Sequence, residues 1–241
     1  MVRLALIMVV LAVPIAAVAH DETPEKPALT VTGHGHMSLA PDTAFVTLGM
    51  ETTGRTVADA QRQNRVTMNK VVERLKALQI ENERIQTAAF NVSPQYKPPP
   101  KRTDPPSGPP EIIGYIVSNT MTIEVRNMDK VGAVIEESLA AGANQFQNLH
   151  WALRDERQPK LESLKLAAAN AREKATALSE ALKLKLIRVM TVSEDSHVAR
   201  PVPKMARSMM ALEAGGPETP VFSGEIKVDA MVTLVFEIGP E

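Results

Sequence analysis

The residues best suited to chemistry sit near the start of the chain, in Gly33-His34-Gly35-His36. Residues two apart in a strand point to one face, so both imidazoles can meet a single metal ion. Two nitrogens make an incomplete site, and a third ligand from His150, His197 or an acidic side chain would be needed to complete it. The competing reading is a pair of solvated strand histidines beside a glycine-induced kink. His20 is a further candidate: at an N-terminus exposed by cleavage, its amine and ring would chelate copper adventitiously. Met205, Met209 and Met210 offer the soft thioethers that copper(I) accepts. No histidine or cysteine joins them, so they read as apolar anchors that fold a loop onto the core or onto a partner.

No catalytic constellation is legible. Ser93, Ser118, Ser193 and Ser223 stand in no nucleophile-elbow context. Gly33-x-Gly35 lacks the third glycine and the following helix of a phosphate-binding loop. The acidic pairs Glu136-Glu137 and Glu194-Asp195 read as solvated surface, and Asp42 after Pro41 as a turn or cap before the first core strand. The sequence therefore predicts a protein without enzymatic activity and without a cofactor.

The elements that must position these residues follow from hydrophobic period. A first helix spans Val57 to Leu78, with Val57, Ala60, Met68, Val71, Val72, Leu75 and Leu78 on one face. A second runs from Met128 to Ala141, capped by Asn127, faced by Val131, Val134, Ile135 and Leu139, and ended by Gly142. A third starts at Pro159 and runs to about Lys183. Its expected face is Leu161, Leu164, Ala168, Ala171, Ala175, Leu178 and Leu182, where the alanines predict close packing. Strand patterns cover Val31–Met37, Thr43–Met50, Ile85–Tyr96, Ile112–Val125, Asn144–Leu153, a short Leu186–Val192, and the alternating Glu225–Ile238. The expected order is β-β-α-β-β-α-β-α-β-β. The expected class is α+β, with mixed, mostly antiparallel sheets, three main helices packed on them, and two β-α-β-like halves at 43–96 and 112–153.

Two segments interrupt this order. Residues 94–110 hold eight prolines and predict an exposed extended loop, with Tyr96, Pro98, Pro99 and Pro100 as candidate interaction residues. Residues 195–220 predict a second long loop carrying Met205, Met209 and Met210. Trp151 and Tyr115 fall on strands and read as core or interface anchors.

The first residues give a destination. Arg3 precedes an apolar run from Leu4 to Val18, and Ala17-Val18-Ala19 follows the small-residue cleavage pattern. The run, interrupted by Pro14, falls short of the roughly 20 residues that span a bilayer. This layout predicts a secretory signal peptide cut after Ala19, a flexible stretch over 20–28, and one domain over 29–241. No other segment predicts a membrane span. There are no cysteines, which removes disulfides, thiolate metal sites and lipid attachment at a cysteine. A formal net charge of −1 offers no basic stripe for nucleic acid.

Several segments together resemble the SIMPL domain family, whose bacterial members include periplasmic immunogenic proteins and oxidative-stress-associated envelope proteins. The residues that carry the resemblance are Val31-Thr32-Gly33-His34-Gly35-His36, Ala40-Pro41-Asp42-Thr43-Ala44, Leu75-Lys76-Ala77-Leu78 and Ile85-Gln86-Thr87. Ser93-Pro94-Gln95-Tyr96, Gly114-Tyr115, Ser118-Asn119-Thr120, Ala140-Ala141-Gly142-Ala143-Asn144, the alanine-rich helix and the final strand complete it. His34 and His36 depart from the pattern, where acidic or small polar residues are more usual. The resemblance implies an α+β fold, export to the periplasm and self-assembly into a homo-oligomer. It brings no catalytic residues. The expected function is a self-associating periplasmic protein that supports envelope integrity or oxidative-stress tolerance, with peripheral association to the envelope left open. The alternative is a periplasmic metal or small-molecule binding protein that uses His34 and His36.

Overall fold

The structure, a computed structural model, describes residues 26–98, 109–202 and 221–241. Its strands are β1 (Ala28–Leu39), β2 (Thr43–Gly54), β3 (Ile85–Tyr96), β4 (Ile112–Val125), β5 (Gln145–Ala152), β6 (Leu184–Val202) and β7 (Glu225–Pro240). Its helices are α1 (Val57–Ala77), α2 (Val131–Ala140) and α3 (Arg157–Leu182). The order along the chain is the one the sequence predicts.

Four strands form one sheet in the order β3-β4-β2-β5, paired antiparallel throughout. β2 and β3 therefore run parallel with β4 between them, joined by α1. β4 and β5 run parallel with β2 between them, joined by α2. This is the split β-α-β arrangement of a ferredoxin-like unit, in which the two expected halves interleave. Its core gathers Val46 and Leu48 of β2, Val71 and Leu75 of α1, Ile123 of β4 and Val131 and Val134 of α2. Burial of each such side chain contributes about 1.5–3 kcal/mol. Thr56 caps α1 by accepting from the Asp59 backbone N–H. Asn127 accepts from Asp129 N–H and caps a single 3₁₀ turn that leads into α2, and Gly142 ends that helix at φ +110°.

The other three strands form a second antiparallel sheet, β1-β7-β6, with α3 packed on one face. A separate core holds Val31, Ala230, Val232, Leu234 and Phe236 against Ala167, Ala171 and Ala175.

Five sequence expectations need correction. Val57, expected on the buried face of α1, is exposed, and the polar Asn64 is buried on that face. The buried stripe of α3 is Ser163, Ala167, Ala171, Ala175 and Ser179, while Leu161, Leu178 and Leu182 are exposed. Close approach to glycines on β1 selects the smallest side chains rather than the largest. Leu139 of α2 is exposed and Ser138 is buried in its place, bonding back to Val134 O. β6 is long rather than short, so residues 195–202 belong to a strand and not to the predicted loop. Pro94 pairs with Tyr115 inside β3 rather than opening the proline loop. An outermost strand tolerates proline because the missing N–H can face outward.

Candidate functional site

The Gly33-His34-Gly35-His36 motif lies on β1, at the edge of the three-stranded sheet. Alternation splits it. Gly33 and Gly35 face α3 and are buried, while His34 and His36 face outward and are exposed. A Cβ on Gly33 would overlap the Ala167 carbonyl oxygen and the Ala171 backbone nitrogen, and one on Gly35 would overlap the Ser163 carbonyl oxygen. The glycines thus let helix backbone lie against strand backbone. Ser163 Oγ donates to Val228 O at 3.1 Å, fixing the helix to the central strand. Two further side chains of α3 wrap the outer edge of β1. Asn170 Oδ1 accepts from His34 N–H at 3.1 Å, and Lys174 Nζ donates to Thr32 O at 2.8 Å. Both bonds occupy backbone groups that an added strand would otherwise pair with.

The two histidines share the outward face but not their surroundings. His36 Nδ1 lies 3.2 Å from Asp229 Oδ1 of β7, both groups reaching solvent. Such a surface pair contributes at most about 1 kcal/mol. His34 lies opposite Met231. His150, named as a possible third ligand, sits on the other sheet and stacks on Phe45 with ring centroids 6.5 Å apart. His197, the other named candidate, lies on β6 opposite Asp229. Sequence reasoning missed Asp229. The alternation of the last strand places it on the outward face, but only the register places it beside His36. Among the described residues, no three His, Asp or Glu side chains stand ready as metal ligands.

The remaining candidates are scattered. Tyr96 is exposed at the end of β3 opposite Ile112, and Pro98 is exposed just beyond it. Pro99, Pro100, Met205, Met209 and Met210 lie outside the described residues. Below the proline segment, Lys97 N–H donates to Glu111 O at 2.9 Å and Lys97 Nζ pairs with Glu111 at 3.0 Å, closing the hairpin base. Trp151 packs, partly buried, against the core of the four-stranded sheet. Asp42 accepts from Arg154 N–H at 2.7 Å and so ties the start of β2 to the chain leaving β5, a long-range contact rather than the local turn or cap the sequence suggests. Asn144 clasps the Glu51 backbone with both ends of its amide, at 2.8 and 2.9 Å.

Buried polar groups serve the frame. Asn64 donates to Met50 O at 2.9 Å, and Thr52 Oγ1 to Ala60 O at 2.8 Å. An open depression of about 560 Å³ is lined by Lys76, Gln79, Ile80, Glu81, Asn82 and Glu83, with no nucleophile paired to a base. The displaced ionisations lie in surface pairs. A hydrogen bond from Thr56, aided by Arg62, holds the Asp59 carboxyl below its ordinary value. Arg188, then Lys26, does the same for Glu237.

Two long outer strands are exposed instead. β3 presents Phe90, Val92 and Tyr96, and β6 presents Ile187, Val189, Met190 and Val192, the last 62% exposed. Each is the terminal strand of its sheet among the described residues.

Comparison with known proteins matches residues 29–236 to the SIMPL model, described as a protein of unknown function (DUF541). The chain is 32% identical over 227 residues to the 26 kDa periplasmic immunogenic protein of Brucella melitensis, covering 93% of this chain and 90% of that one. The Brucella abortus protein of the same name matches equally, at 32% over the same coverage. The uncharacterized protein YggE of Escherichia coli K12 is 24% identical over 226 residues, covering 91% of this chain and 87% of that one.

Proposed function

The chain belongs to the SIMPL family, and from that premise we propose that it is a non-enzymatic periplasmic protein whose copies self-associate and support envelope integrity, including tolerance of oxidative stress. The Brucella relatives are named as periplasmic, and the basic start, short apolar run and Ala17-Val18-Ala19 of this chain fit export with cleavage after Ala19.

One observation carries self-association. β3 and β6 offer long backbone edges, and both flank them with exposed apolar side chains. Unprotected strands of this kind template pairing with another chain. The contrast with β1 is informative, because there side chains of the helix occupy backbone groups of the edge. The residues that carry the family resemblance also serve geometry: Gly33 and Gly35 seat α3, Asp42 ties β2 to the chain leaving β5, Gly142 ends α2 and Asn144 clasps β2. That pattern supports a structural role over a catalytic one.

The test is the absolute mass of the exported chain by light scattering after size exclusion, with and without chelator. A discrete assembly above monomer mass is expected, unchanged by chelator. Val92→Lys with Val192→Lys should lower that mass without loss of circular dichroism. The same variant should fail to restore peroxide tolerance to a strain lacking the chain. A parent that runs as a monomer would sink the reading, as would a variant that assembles and complements fully.

A further inference from the structure

The outward face of the three-stranded sheet brings together side chains that are remote in sequence. His36 of β1 is the cross-strand partner of Asp229 of β7, and Asp229 is the partner of His197 of β6. Directly opposed residues of antiparallel strands project to the same face. Val228 and Ala230, on either side of Asp229, are buried. Asp229 therefore points away from α3, and His36 and His197 point with it.

We propose that His36, Asp229 and His197 form a binding site for a divalent transition-metal ion, with zinc as the reference ion. Two imidazoles and a carboxylate are a donor set that such ions accept, and they leave coordination positions open to water. The spacing suits it. Neighbouring strands lie about 4.8 Å apart, which places the short carboxylate at the centre and a longer imidazole on each flank. One side is already in place, since His36 Nδ1 is 3.2 Å from Asp229 Oδ1. The three groups do not yet converge at ligating distance. Convergence requires the exposed His197 ring to turn over Asp229 and the His36 contact to open around the ion. Exposed side chains make such changes within picoseconds to nanoseconds. The backbone beneath is fixed, because β7 is hydrogen-bonded to strands on both sides.

The neighbouring row sets the selectivity among the histidines. His34 lies opposite Met231, and Met231 opposite Asp195. That row has a thioether at its centre and one imidazole, so it is a poor match for zinc. The site is thus His36 with β7 and β6, and not the pair His34 and His36 that the motif suggests. It stands independently of the envelope reading, which requires no metal.

The experiment is calorimetric zinc titration of the full exported chain in a His20→Ala background, which removes chelation at a freed N-terminus. His36→Ala, His197→Ala and Asp229→Asn should each weaken zinc binding by about tenfold or more, while His34→Ala should stay within about twofold of the parent. Zinc should also raise the thermal midpoint of the parent and not that of His197→Ala. Because the replaced side chains reach solvent, circular dichroism should be unchanged, and His197→Gln provides a milder version of the same test. Zinc binding by His197→Ala and His197→Gln equal to that of the parent would overturn the proposal. So would a parent with no zinc affinity tighter than about millimolar.

Discussion

At the scale of single residues, one motif contains two unrelated assignments. The glycines of Gly33-His34-Gly35-His36 are there for α3, and the histidines for the solvent side. A strand reverses its face at each residue, so this interleaving costs the chain nothing. Gly35→Ala is expected to destabilise by about 1–3 kcal/mol or more, because the new methyl must displace helix backbone and not a flexible side chain. Chemical denaturation reads this directly, and a midpoint equal to the parent's would show that α3 can retreat freely. The histidine half of the motif was legible as a candidate ligand pair, and its position on a strand was read correctly. Its partner Asp229 was not legible, because a cross-strand neighbour almost 200 residues away follows from register alone.

At the scale of elements, each helix face answers to its sheet. α1 buries Met68, Val71 and Leu75 of the face its period predicts, while Val57 at its first turn is exposed. α3 does not bury Leu161, Leu178 or Leu182, because the glycines opposite it draw the helix in until only alanine and serine fit. The leucines that looked like a core stripe lie at its flanks. The three-stranded sheet is also tied electrostatically. Glu237 of β7 accepts from Arg188 of β6 at 2.6 Å and pairs with Lys26, just before β1, at 3.2 Å. These partners hold its carboxyl below the ordinary 4.5. A depressed folded-state value means that the carboxylate's stabilising effect is fully present above the ordinary value. It is lost as pH falls from there through the folded one. Glu237→Gln should therefore lose less stability than the parent between pH 6 and pH 3, measured as the shift in denaturation midpoint. An identical decline in both proteins would show that the triad is not coupled to folding.

At the scale of the whole molecule, two sheets with separate cores share one chain, and among the described residues β3 and β6 end their sheets as long outer strands. The proline segment joins β3 to β4 at the edge of one of them. Lys97 and Glu111 already face each other as a hairpin end. Replacing residues 98–110 by Asn-Gly, a two-residue turn suited to such hairpins, should leave the fold intact and change the assembly mass. An unaltered mass would remove the proline segment from the interface.

The sequence by itself determined the class, the number and order of elements, the end of α2 at Gly142 and the family, because each depends on local period or on residues adjacent in the chain. The tertiary structure alone decided which face α3 buries, which strand edge its side chains reach, how the two β-α-β halves interleave, and that His36 meets Asp229 opposite His197. These depend on register and on how closely two backbones approach, and neither quantity is encoded within any single stretch of sequence.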